Sequence, residues 1–131
     1  MAGLRMTVGG RELLFRFDVL AWQQVEERFG SITRMKKLLD DDTCPMMVLR
    51  KLAAITASAG ERYKTGKVDA EPVTEAWLTE HLSPMQMRQA NSLAEAAVNI
   101  GQMRENADDE DDQHEVDEVL EEIEKKRKAG S

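Results

Sequence analysis

The chain has one cysteine, three prolines and few aromatic side chains, 5% of its 131 residues. The lone thiol, Cys44, excludes an internal disulfide and any multi-cysteine metal site. It reads as a small apolar group near a helix start: neither His81 nor His114 is near it in sequence, and no motif of a catalytic thiol surrounds it. No apolar run approaches the roughly 18 residues of a membrane span. The first ten residues, MAGLRMTVGG, lack the apolar centre of a signal peptide. A phosphate-cradling glycine loop, a nucleophile elbow and a carboxylate pair on one rigid element are all missing, and the two histidines lack ligand spacing. These absences point away from an enzyme, a cofactor, a metal centre and a membrane partner. They lead to the expectation of a binding or assembly module in a reducing cytoplasm.

What is present is 41% hydrophobic residues, enough for one modest core built from Leu, Val, Ile, Ala and Met. Eight methionines are many for this length. Flexible thioethers fill irregular gaps in cores and also line adaptable binding surfaces, and both readings stay open for them. The net charge of −7 is unevenly placed. Residues 1–104 carry 14 Lys and Arg against 13 Asp and Glu, a balance of +1, while residues 105–131 carry 4 against 12, a balance of −8. The acidity belongs to a tail. Two small basic clusters, Arg34 with Lys36 and Lys37, and residues 125–128, do not make a nucleic-acid surface. The first is too small, and the second follows a segment that repels phosphates.

The pattern along residues 1–104 predicts a mainly α domain with an N-terminal β-hairpin packed on a compact bundle of about five short helices. Residues 4–8 and 12–17 read as strands around Gly9-Gly10, with Leu13, Phe15 and Phe17 inward and Glu12, Leu14 and Arg16 outward. Asp18 can cap a first helix whose apolar face holds Ala21, Trp22, Val25 and Phe29, and Gly30 stands at its C-terminal cap. Ser31 can cap a second helix carrying Ile32, Met35, Leu38 and Leu39. Asp40, Asp41 and Asp42 end it. They lack the spaced ligands and glycine of a calcium loop, and one of them is expected to cap the next helix. A third helix is expected over residues 45–59, stopped by Gly60 and followed by a loop over 61–71. Pro72 is expected to start a fourth over 73–82, with Trp77 facing the core. Ser83-Pro84-Met85-Gln86 is a capping box that opens a fifth helix bearing Ala90, Leu93, Ala94, Ala97, Val98 and Gly101. Its small residues allow another helix to approach closely.

Beyond Met103, residues 104–112 are almost free of apolar side chains and carry a block of like charge, which predicts disorder. Val116, Val119, Leu120 and Ile123 then recur at i, i+3, i+4 and i+7, so residues 115–128 hold a latent amphipathic helix. It is marginal alone and suited to docking on the body or on a partner.

The wording of residues 15–32 carries a family resemblance. A strand leads directly into a helix with Leu20, Ala21, Val25, Glu26, Glu27, Arg28, Phe29 and Gly30, followed by Ser31 and Ile32. With the hairpin, the further short helices and the charged tail, this resembles the tail assembly chaperones of long-tailed bacteriophages and prophages, in the group of gene-transfer-agent and lambdoid-type tail chaperones. The resemblance covers residues 4–103 in layout and is specific over residues 15–32. It implies a holdase of the host bacterial cytoplasm that coats the tape measure protein, helps recruit tail tube subunits and is absent from the mature virion. A holdase needs exposed, adaptable apolar surface. Met35, Met46, Met47, Met85, Met87 and Met103 are the candidates on the body, and Val116, Val119, Leu120 and Ile123 are those on the tail, where self-association is a further use. Two competing readings remain: a small structural virion protein such as a head–tail connector or tail terminator, and an acidic nucleic-acid mimic using residues 108–124.

Overall fold

The computed structural model describes residues 4–103. Strands β1 (Leu4–Val8) and β2 (Arg11–Phe15) are followed by helices α1 (Val19–Phe29), α2 (Ile32–Asp40), α3 (Met46–Thr65), α4 (Glu75–His81) and α5 (Pro84–Met103). The mainly helical architecture with an N-terminal hairpin is therefore as the sequence predicts. The strands pair antiparallel from Leu4 opposite Phe15 to Val8 opposite Arg11. Gly9 and Gly10 both take positive φ, 57° and 78°. Two such residues form the turn whose twist matches that of the flanking strands.

A two-stranded ribbon is marginal in water and must be covered. Here one face is covered throughout, and the other is covered at Leu14 while Thr7 and Glu12 stay exposed. Leu13 and Phe15 join the main core, while Leu14, expected to point outward, is only 1% exposed. The reason is Gly60. A Cβ added there would lie 1.6 Å from the carbonyl oxygen of Leu14, so the main chain of β2 occupies the space where a side chain would be. At this separation the Arg16 N–H, freed from the ladder because β2 ends at Phe15, donates to the Thr56 carbonyl at 3.1 Å.

The same glycine corrects a helix boundary. Gly60 does not stop α3, which continues to Thr65 and closes at Gly66, where φ is 71° and the N–H donates to Arg62 O at 2.8 Å. A glycine inside a helix costs about 1 kcal/mol relative to alanine. That cost is offset by the strand packed against it and by the Glu61–Lys64 ion pair, 2.9 Å, one turn along the helix.

The fourth helix also starts later than Pro72. Its cap is Thr74, whose hydroxyl accepts from Trp77 N at 3.0 Å. Val73 is buried in extended backbone, its N–H donating to Ser58 Oγ at 2.9 Å and its carbonyl accepting from the same hydroxyl at 3.2 Å. Those side-chain bonds replace the helical ones that residue 73 would otherwise make. Nor does an aspartate cap α3. Asp41 instead accepts from Thr43 N and Oγ1, at 2.9 and 2.7 Å, and Pro45 stands at the α3 start without a side-chain cap.

Three other local readings hold. Asp18 accepts from Ala21 N at 2.8 Å, Ser31 from Arg34 N at 3.0 Å, and the Ser83–Gln86 box closes reciprocally at 3.2 and 2.9 Å. Helices α3 and α5 pack together, with Ala53 and Ala57 on one and Ala90, Ala94 and Ala97 on the other fully or almost fully buried. Gly101 differs from its expected use. What approaches it is the main chain of Phe17, whose carbonyl oxygen would be 2.6 Å from an added Cβ.

Because neither backbone at the α3–β2 crossing can give way cheaply, Gly60→Ala is expected to cost about 3 kcal/mol or more. Thermal unfolding checks this: Tm should fall by more than about 10 °C, and an unchanged Tm would contradict the close approach.

Candidate partner-binding surface

The segment with the family resemblance folds as one unit on α3. Asp18 caps α1 and at the same time receives the Arg62 guanidinium at 2.9 and 3.2 Å. Arg62 is two residues beyond Gly60 and its side chain is 11% exposed, so the cap ties the start of α1 to the end of α3. Burial works against the Asp18 carboxylate, but Arg62 and the Ala21 N–H outweigh it and hold the group below its ordinary value of 3.8. At the far end Gly30 closes α1, its N–H donating to Glu26 O at 2.9 Å. Arg28 then reaches Glu75 of α4 at 3.2 Å, and Glu75 also receives Arg50 of α3 at 3.2 Å.

The two tryptophans are less interior than the sequence suggests, while Phe15, Phe17 and Phe29 are buried as expected. Trp22 is 37% exposed, its ring tilted against Phe17 at 5.6 Å, and Val19 one turn before it is almost fully exposed. Trp77 is partly buried, stacked on His81 at 4.2 Å, with Arg11 over its ring at 4.8 Å. His81 also makes a 2.8 Å hydrogen bond between Nδ1 and the Trp77 carbonyl oxygen, so its ring is engaged in closing α4. Cys44 is partly buried; that burial, then Asp41 and Glu95, push its thiol above the usual range, away from the reactive thiolate. Among the described residues no group of three or more His, Cys, Asp and Glu side chains is placed to hold a metal ion. No helix among them is long and apolar enough to cross a membrane.

The candidate methionines divide. Met35 and Met87 are 1% and 4% exposed and belong to the core, where their thioethers fill space between helices, so they offer no surface to a partner. Met46 and Met47 stand in the first turn of α3, 37% and 51% exposed, and Met85 stands in the first turn of α5, 80% exposed. Met103, at the end of α5, is partly buried. Val116, Val119, Leu120 and Ile123 lie outside the described residues, as does the rest of the acidic tail.

Hollows open on the helical body, and two of them are lined by described residues. One, of about 260 Å³, is lined by Asp40, Asp41, Asp42, Leu49, Arg88 and Asn91, and so lies where the first halves of α3 and α5 meet the end of α2. The other, of about 360 Å³, lies between the end of α1, α2 and the start of α3. Phe29, Leu38 and Val48 give it an apolar lining and Arg28, Arg34 and Lys51 a basic one. Sequence periodicity assigns Leu38 and Val48 to core stripes and Arg34 to a minor basic cluster, so it does not bring these residues together. The available signal is Arg34 and Leu38 at i and i+4, which share a helix face.

No protein-family model, curated protein or solved structure matches the chain.

The depressed Asp18 pKa fixes the sign of a pH effect. A carboxylate held low in the folded state contributes stability that is present above the unfolded value and lost as the pH falls through the folded one. Asp18→Asn keeps the cap and removes the charge. It is expected to lower stability at neutral pH by at most about 1 kcal/mol, since the pair is partly screened by solvent, and to flatten the loss of Tm below pH 4. An acid limb identical to that of the wild type would show that the pair contributes nothing.

Proposed function

We propose that the protein is a phage tail assembly chaperone, which binds and solubilises the tape measure protein and helps recruit tail tube subunits in the host cytoplasm, and which is absent from the finished virion. The observation that carries this reading is the segment 15–32: Leu20, Ala21, Val25, Glu26, Glu27, Arg28, Phe29, Gly30, Ser31 and Ile32 match the family wording. Its hairpin, Asp18 cap and Gly30 closure form a continuous strand-to-helix unit, which fits the layout that the resemblance implies.

The surface supports the same reading by its chemistry. Exposed thioethers at the starts of α3 and α5 are adaptable apolar contacts, suited to an amphipathic helical client whose side chains vary along its length. The −8 balance of residues 105–131 supplies the like-charge repulsion that keeps such a surface from associating with itself.

Co-expression with the tape measure protein of the same phage tests the proposal. The tape measure is expected in the soluble fraction with this chain and in the pellet without it. Met47→Lys combined with Met85→Lys should weaken co-purification about tenfold or more, equivalent to about 1.4 kcal/mol of lost contact. Tm should stay nearly unchanged, because both side chains are exposed. A tape measure equally insoluble with and without the chain would refute the proposal. Detection of the chain in purified virions by mass spectrometry would favour a head–tail connector or tail terminator instead.

A further inference from the structure

The groove between α1, α2 and α3 combines an apolar lining with uncompensated positive charge. Leu38 on its wall is 38% exposed, and Phe29 and Val48 complete the apolar part. Of its cations, Arg28 is held by Glu75. Among the described residues Arg34 and Lys51 have no acidic partner. Complementary chemistry exists in the same chain. Val116, Val119, Leu120 and Ile123 would form one helical stripe about 10 Å long, two turns at 1.5 Å per residue. Asp117, Glu118, Glu121, Glu122 and Glu124 surround that stripe.

We propose that residues 115–128 dock into this groove as an amphipathic helix, laying the stripe on Phe29, Leu38 and Val48 and turning its carboxylates toward Arg34 and Lys51. The connection is long enough. The last turn of α5 is fastened to α2, with Lys36 Nζ donating to Gln102 Oε1 at 2.9 Å. From there residues 104–114 can span about 18 Å as a flexible coil and about 36 Å when extended, while a helix with its side chains is about 10–12 Å across. Tethering raises the local concentration of the segment to the millimolar range, so a helix that is marginal alone needs only weak contacts to occupy the site. This docking does not depend on which client the protein serves.

Paramagnetic relaxation on the full-length chain tests the inference. In a Cys44→Ser background, a nitroxide attached through Glu122→Cys is expected to abolish the NMR signals of Arg34, Leu38, Val48 and Lys51, with recovery at about 0.5 M salt, where surface attraction is screened. Arg34→Glu with Lys51→Glu, or Val119→Asp with Leu120→Asp in the tail, should restore those signals. The second pair lies outside the described body and leaves its core residues untouched. Three results would overturn the inference: groove signals unaffected by the label, signals still lost in both double variants, or signals lost only when isotope-labelled and spin-labelled copies are mixed. The last would make a second copy of the chain the occupant.

Discussion

Gly60 has no side chain because the main chain of β2 fills that space, with the Leu14 carbonyl oxygen 1.6 Å from where a Cβ would stand. Several other features follow from this contact. It brings Arg16 N within 3.1 Å of the Thr56 carbonyl, so strand and helix are joined backbone to backbone as well as by packing. It aims the chain that leaves β2 along α3, where Asp18 meets Arg62 and α1 begins. It also carries Phe17 to α5, where Gly101 again yields room to main chain. Two glycines thus fix how a marginal hairpin is held by the two long helices.

That arrangement decides which apolar residues remain outside. The space between α3 and α5 is filled largely by alanines, and Met35 and Met87 complete the core. Met46, Met47 and Met85 fall in first turns, beyond the packed interior, and stay accessible. Among the described residues the same geometry leaves Arg34 and Lys51 without a carboxylate partner, while the net negative charge of the sequence is concentrated after residue 104. The separation of buried from exposed methionines is a consequence of that packing.

Features governed by neighbours in sequence were legible in advance. The Gly9-Gly10 turn, the Asp18 and Ser31 caps and the Ser83–Gln86 box each need only a few consecutive residues, and each forms as expected. Features governed by distant partners were not. Gly60 looks like a helix stop until the strand that packs on it is known. Leu14 looks outward until Gly60 is found packed against its main chain. Val73 looks helical until Ser58, fifteen residues away, takes both of its backbone groups. The groove shares this limit: Phe29, Arg34, Leu38, Val48 and Lys51 come from three helices, and periodicity assigns each residue only to its own helix.

Hairpin and α3 form one cooperative unit joined at Gly60. Native-state hydrogen exchange at the Arg16 amide tests it most directly, because that N–H is protected by α3 and not by the ladder. Exchange is expected to go through global unfolding, with an opening free energy within about 1 kcal/mol of that of the buried α3 amides. Exchange several kcal/mol below that level, typical of local fraying, would show that the hairpin detaches from α3 on its own, and would contradict the account.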